Sequence, residues 1–437
     1  MTRPGGTWEN WARTEKVRPR RVEFPSTISA VRRSVQSSAT RGLQVKAIGA
    51  GHSFSGIAVS PGTLLDLSDL SGLVSVDRER SRVRLLAGTR LHRIPTLLKP
   101  YGLAMANLGD IDRQSISGAI STGTHGTGSA FGGIATQVVA ATLVTADGEL
   151  LTVDDDENTD LLPAVALGLG ALGILVDVTL QCVPAFGLRA VEQAEPLDDV
   201  VLTLTDRAAA ADHFEFYWFP HTDVAQTKTN ARMPADEPVE PLSPARRWVD
   251  DRLIGTAVHQ AVCTVGRIVP PLVPTINRAS AAVWGQRTFS DRSDRVFATT
   301  RGVRFREMEY AVPVERLGEA FTQLRTLIDD SGWRIEFPVE VRTASADDLW
   351  LSTAHGRETG YIAVHRYLRA DPTAYFAAVE EIMLAHDGRP HWGKMHTQRA
   401  ATLRERYPRF DDFVALRDRL DPTRMFSNAY LDRVLGG

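Results

Sequence analysis

The stretch KAIGAGHSFSG at residues 46–56 limits what this chain can fold into more than any other. An apolar run, Val45–Ile48, ends at Gly49, and Gly51, His52, Ser53 and Ser55 follow at once. This pattern predicts a strand running into a tight turn. Glycine has no Cβ, so backbone N–H groups in such a turn approach an anion closely. The turn reads as a phosphate cradle or as a plain loop. It is not a P-loop, because no Gly-Lys-Ser/Thr closes it, and position 54 is Phe, which excludes the dinucleotide G-x-G-x-x-G. His52 is the unusual residue, since a lone histidine beside a turn is ordinarily solvated or a satisfied donor.

A second stretch, QSISGAISTGTHGTG at 114–128, alternates glycines with Ser115, Ser117, Ser121, Thr122, Thr124 and Thr127 and carries almost no charge. Backbone amides and hydroxyls at this density suit a polyphosphate or a ring system. A third, LGLGALGILVDVTL at 167–180, ends in a strand whose Ile174, Val176 and Val178 alternate like a half-buried surface.

Together the three stretches resemble the FAD-binding domain of the vanillyl-alcohol oxidase flavoprotein family, most closely its aldonolactone and alditol oxidase branch. The matching motifs are Gly49–Ser53 (GAGHS), Thr122–Gly126 (TGTHG) and Ala171–Ile174 (ALGI). The resemblance continues through PVEVR at 338–342, YIAVHRY at 361–367 and HWGKMH at 391–396, and so covers nearly the whole chain. It implies an α+β fold of two domains: a PCMH-type FAD-binding domain over 1–184, an antiparallel-sheet substrate (cap) domain over 185–385, and a segment, 386–437, that returns to the flavin.

The length of 437 residues also makes two cores more natural than one. Lys+Arg 50 against Asp+Glu 53 leaves no bulk field for nucleic acid. Cys182 and Cys263 sit in apolar contexts and read as buried thiols rather than a disulfide. The start shows no signal-peptide pattern, and the longest uncharged run, Leu161–Val176, falls short of the roughly 20 apolar residues that span a bilayer. The reading is a cytoplasmic protein. Arg13, Lys16, Arg18, Arg20 and Arg21 form either a solvated face or a peripheral membrane contact.

Local patterns predict a helix capped by Ser26 and stopped at Gly42, then the strand Leu43–Ile48, short strands at Leu64–Leu67, Leu73–Val76 and Val83–Ala87, and a helix over Leu91–Tyr101. Asp147–Gly148 predicts a hairpin. Further on, His213–Phe219, Arg304–Val312, Ile335–Arg342 and Tyr361–Tyr367 read as strands, 233–246 as a loop, and Glu315–Asp330, Pro372–His386 and Phe410–Leu420 as helices.

The resemblance assigns cofactor contacts to Ala47, Ile48, Gly49, Ala50, Gly51, His52 and Ser53; to Gly109 and Asp110; to Ser115, Gly118, Ala119, Thr122, Thr124, His125 and Gly126; and to Gly173, Ile174 and Lys394. It implies an 8α-histidyl bond between FAD and His52, through addition of a neutral imidazole to the electrophilic methide form of the flavin. The bland alternative is a noncovalent flavin packed near His52. Glu340 and Arg342 stand two apart on a strand and so share a face. They are either substrate-holding groups, as the resemblance implies, or an exposed ion pair. Lys394 then stabilises reduced flavin, His365 serves as base, and Ser115 faces substrate. His386, His391 and His396, at five-residue spacing, do not align on one helix face and predict no metal.

The implied reaction is hydride transfer from a sugar 1,4-lactone of the L-gulono or D-arabinono type to flavin, giving an ascorbate-type product. Oxygen or a cytochrome-like acceptor reoxidises the flavin, and Gly109 leaves room for oxygen. Alditol (xylitol or sorbitol) oxidation and a non-catalytic flavin-fold module are the alternatives.

Overall fold

In the computed structural model, residues 6–248, 259–283, 286–299 and 302–437 are described. The glycine-turn strand, Val45–Ile48, lies in a three-stranded parallel sheet with Thr63–Asp66 at its centre and Arg21–Glu23 on the far edge. The helix Ile28–Thr40 makes the crossover, burying Val31 and Val35. Its cap is Thr27, one residue beyond the predicted Ser26: the Thr27 hydroxyl accepts the Ala30 N–H at 3.1 Å, three residues on, where a capping oxygen reaches. Gly42 ends the helix at φ +62°, as predicted.

Beside this lies a five-stranded antiparallel sheet, ordered Leu150–Val153, Val138–Val144, Ile174–Gln181, Arg82–Leu86, Leu73–Asp77. Its hairpin turns at Asp147–Gly148, with Gly148 at φ +82°. The strand Ile174–Gln181 is central, not half-buried: Ile174 through Val178 are all buried. Its one charge there, Asp177, is met by Arg84 through two bonds of 2.9 and 2.7 Å. The predicted helix over Leu91–Tyr101 is broken into two 3₁₀ turns around a short helix, Ile94–Leu98. Pro100 explains the break, because it has no N–H to continue the helical ladder.

The second half of the chain builds an eight-stranded antiparallel sheet, ordered Arg287–Arg292, Gly187–Pro196, Val224–Arg232, His213–Trp218, Val339–Ala344, Thr359–Tyr367, Phe305–Pro313, Arg389–Pro390. Register sorts its side chains by face. Phe216 opposes Val341, Val341 opposes Ile362, and Ile362 opposes Tyr310. That face is apolar and packs on the helices Leu317–Asp330 and Thr373–Ala385 through Leu317, Phe321, Leu324, Phe376 and Val379. The other face pairs Tyr217 with Glu340, Glu340 with Ala363, and Ala363 with Glu309, and it carries the charged groups. The loop read over 233–246 is a loop except that a helix begins at Pro244.

The C-terminal helices, Ala400–Arg404, Phe410–Leu420 and Ala429–Leu435, share the core of the glycine-turn half through Leu403, Phe410, Phe413 and Leu431. Lys46 adds a polar tie: its buried ammonium donates to the carbonyls of Gly170 (2.9 Å) and Phe426 (3.1 Å). Both cysteines are free and buried. Among the described residues no helix is long and apolar enough to cross a membrane.

His213 starts a strand of this sheet and lies flat on Phe131 (4.8 Å, 4°), with Phe297 edge-on at 4.9 Å. Neither ring nitrogen has a hydrogen-bond partner, and burial pushes its pKa down to about 4. Unfolding therefore binds a proton across the interval between the free value near 6.5 and 4, so this group's stability contribution is present above pH 6.5 and is lost as pH falls to 4. Replacing His213 with Phe should keep the stacking and flatten the fall of the urea midpoint between pH 6.5 and 4. An unchanged slope contradicts this assignment.

Candidate active site

Two cavities meet at the glycine turn. The first is a cleft of about 890 Å³ lined by the turn from Ala47 to Ser53, by Ser115, Gly118 and Thr122, and by Gly173 and Ile174. A Cβ on Gly49 would lie 2.3 Å from the Ser115 hydroxyl, so only glycine lets these two segments meet. Gly51 sits at φ +69°, in the left-handed region that glycine adopts without strain. Ser115 caps the helix Ile116–Ser121 by accepting the Gly118 N–H at 3.2 Å, and it faces this cleft. Ala119 is fully buried in the core, and Gly126 is pressed against the Leu108 carbonyl. Neither of these two stands on a cavity wall.

The second cavity, of about 570 Å³, shares His52, Ser53, Gln114 and Thr122 with the cleft. Gly109, Asp110, Thr124 and His125 line it from one side, and Glu309, Arg342, His391 and Lys394 from the sheet side. Gln114 borders both spaces, and its buried Oε1 has no hydrogen-bond partner in the protein. A joined cleft and chamber, with serine and threonine hydroxyls and a waiting acceptor at their junction, fit an elongated dinucleotide carrying a ring system.

His52 stacks on Trp11 at this junction, with ring centroids 5.5 Å apart. Burial, aided by Arg90, Lys394 and Arg113, pushes its pKa down to about 4. The imidazole is therefore neutral at physiological pH and has a lone pair to act as a nucleophile.

Arg342, with its side chain only 9% exposed, is gripped by carboxylates. It pairs with Glu340, with Glu215 at 3.0 Å and with Asp110 at 3.6 Å. Burial alone would discharge it, but Glu340, Asp110 and Glu215 hold its pKa well above the usual arginine value. Tyr217 donates to Glu340 at 3.0 Å, and Lys228 meets Glu215 at 3.4 Å. Lys394 is held in the same way, 2.5 Å from Glu307 and 3.9 Å from Glu309. Burial opposes the ionisation of Glu307, but Lys394 and then His365 outweigh it and hold its carboxyl near 2.

His365 does not reach the cavity wall. Its Nδ1–H donates to the Pro338 carbonyl (3.0 Å), its Nε2 lies 3.5 Å from Glu307, and Phe305 and Phe337 pack on its ring. His386, His391 and His396 do not converge on one point: His386 meets Gln323 and His396 meets the Tyr430 hydroxyl. Among the described residues, His125, Glu309 and His391 bring potential ligand atoms within 4.8 Å of one another. A metal-binding histidine donates its second ring N–H. His391 does the reverse, because its Nδ1 accepts the Gly393 N–H at 3.0 Å, which puts the ring proton on Nε2. His125 donates from Nδ1 to the Gly126 carbonyl at 2.8 Å, and its Nε2 lies 3.2 Å from Glu309.

Sequence reasoning did not identify Glu215, Tyr217, Glu307, Glu309, Trp11 or His391 as site residues. A usable signal was present for four of them. HFEFYWF and RFREMEYAV place polar groups at period two within strands too apolar to be exposed, so those groups face something that needs charge.

Residues 178–434 match the family model described as D-arabinono-1,4-lactone oxidase, and residues 19–154 match the FAD binding domain model. Over 98% of this chain and 99% of theirs, the sequence is 42% identical to L-gulono-1,4-lactone dehydrogenase of Mycobacterium tuberculosis. It is 34% identical to L-gulonolactone oxidase of Scyliorhinus torazame over 98% of each chain. Among solved structures, cholesterol oxidase from B. sterolicum superposes with a TM-score of 0.82 over 98% of this chain and 96% of that one, at 18% identity, a likeness of fold alone.

Glu215 is the carboxylate common to Arg342 and Lys228. Truncating one partner of a buried ion pair strands the other, at a typical loss of ~3–5 kcal/mol. Glu215→Ala should therefore show a large drop in urea midpoint, and Glu215→Ala with Lys228→Met a smaller one. Equal losses would mean that Lys228 does not depend on Glu215.

Proposed function

The chain belongs to the D-arabinono-1,4-lactone oxidase family, FAD-dependent oxidoreductases acting on CH–OH groups, and from this we propose that it oxidises a sugar-derived 1,4-lactone of the L-gulono or D-arabinono type at a secondary hydroxyl. The observation that carries this reading is the polar chamber opening off the glycine-lined cleft, with two ion-paired cations, buried Arg342 and half-buried Lys394, on its wall. A lactone presents hydroxyls and a carbonyl oxygen, and fixed cations meet these without reorganising.

FAD, when bound, accepts the hydride at its ring N5. The residues of the chain do the rest. Arg342, immobilised by three carboxylates, orients the lactone and stabilises the oxygen that loses its proton. Asp110, on the chamber wall beside Arg342, takes that proton in place of His365, which is set back against Glu307 and the Pro338 carbonyl. His365 works at one remove, holding Glu307, which holds Lys394. Lys394, on the chamber wall, would supply positive charge to a bound flavin as it is reduced. Neutral His52 would hold the flavin through the 8α bond, and its position at the junction of cleft and chamber supports that role. The product is an ascorbate-type keto lactone, and the electrons pass on to oxygen or to a second acceptor.

Three measurements test this. On a denaturing gel under ultraviolet light, the wild-type band should fluoresce and that of His52→Ala should not; flavin released from both would remove the covalent bond from the proposal. Anaerobic bleaching of the flavin should be faster with a 1,4-lactone than with xylitol or sorbitol, and the reverse order would favour alditol oxidation. Asp110→Asn should slow bleaching by about 10²–10⁴-fold, the usual worth of a general base, and His365→Asn by much less. A larger effect at His365 would return the base to that residue.

A further inference from the structure

A third cavity, of about 540 Å³, lies where the two halves of the chain meet. Leu98, Leu103, Met105, Leu108 and Phe186 give it mainly apolar walls. The strand Leu103–Ala104, paired with Val183–Pro184, forms one side, and Ser293 and Asp294 of the short helix Ser293–Phe297 the other. Lys99 and Ser293 add hydrogen-bond donors, while the Arg292 guanidinium is bonded to Asp294 of the same wall at 3.0 and 2.7 Å. Apolar walls with a few donors suit a small planar organic molecule. A sugar lactone does not fit, since its hydroxyls would lose water without replacement.

The wall of this cavity connects it to the redox site. Leu108 lines it, while Gly109 and Asp110, next in the chain, line the polar chamber. One stretch of backbone therefore separates the two spaces, and that stretch is held firmly. Asn107 donates to the Thr127 carbonyl at 3.1 Å, Gln137 donates to the Asn107 carbonyl at 3.0 Å, and the Asp110 carbonyl accepts from the Thr299 N–H at 2.9 Å. Gly109 puts no side chain into the wall, and a Cβ there would lie 2.9 Å from the His125 carbonyl oxygen.

We propose that this cavity is the docking site of a quinone that takes the electrons from the reduced flavin. The proposal rests on the lactone-oxidation reading for its electron source. Conversion of CH–OH to C=O releases two electrons and two protons, and a quinone consumes both pairs on becoming a hydroquinone. The donors of Lys99 and Ser293 complement quinone carbonyl oxygens. Oxygen needs no such donors, and a protein acceptor cannot enter a cavity of this size. Separate sites let lactone and acceptor bind without competing.

The test uses the flavin-loaded protein, with menadione as probe. Menadione should bind the oxidised protein saturably in equilibrium dialysis and should reoxidise the reduced flavin under anaerobic conditions. Ala104→Phe, which fills the cavity, should raise the KM for menadione at least tenfold, and Lys99→Met, at an exposed position that tolerates change, should raise it several-fold. Neither should alter lactone bleaching. Failure of menadione to reoxidise the flavin, or an unchanged KM in both variants, overturns the proposal. If no lactone bleaches the flavin, photochemical reduction supplies the same electrons, so the quinone step is scored independently of the substrate.

Discussion

At the chamber wall Arg342 is buried and Lys394 is largely withdrawn from water, and much of the charged face of the eight-stranded sheet follows from that requirement. A buried charge is tolerated only where opposite charge and hydrogen bonds replace its water. The eight-stranded sheet supplies both from one face. Glu340 on its own strand and Glu215 on the neighbouring one meet Arg342, with Tyr217 fixing Glu340, while Glu307 and Glu309 meet Lys394 from the strand Phe305–Pro313. The opposite face carries Phe216, Val341, Ile362 and Tyr310 against two long helices, so the charged face cannot turn over without exposing the core.

Lys394 and His52 share a chamber because the glycine turn and the C-terminal segment are bonded to each other. The Phe54 N–H donates to the Gly393 carbonyl at 2.7 Å, and the Ser55 hydroxyl donates to the Trp392 carbonyl at 2.9 Å. Asn428 ties the same segment to the carbonyls of Gly56, Ile57 and Val59. The chamber thus has one wall from the glycine-rich segments and one from the sheet, which is where polar groups from distant parts of a chain meet most readily.

Local patterns carried much of this information. The glycine turn, the Asp147–Gly148 hairpin, and the strand bearing Glu340 and Arg342, which begins at Val339 rather than Ile335, were legible because each depends on backbone freedom or on period-two alternation within a few residues. The Leu91–Tyr101 reading failed at Pro100, where apolar spacing outweighed the missing N–H. The strand Ile174–Gln181 looked half-buried because Asp177 broke its apolar run, but Arg84 on the neighbouring strand neutralises that charge.

From the residues alone the chain determined its phosphate-suited turns, the shared face of Glu340 and Arg342, and the absence of a bulk charge bias, since these follow from local backbone chemistry and composition. Only the tertiary structure decided that His365 backs Glu307 rather than facing the chamber, that Ser115 serves the cleft, and that Glu215 and Glu309 belong to the site. The reason is physical. Which charges meet across a sheet depends on strand order and register, and these are set by burying the apolar face against helices far away in the sequence.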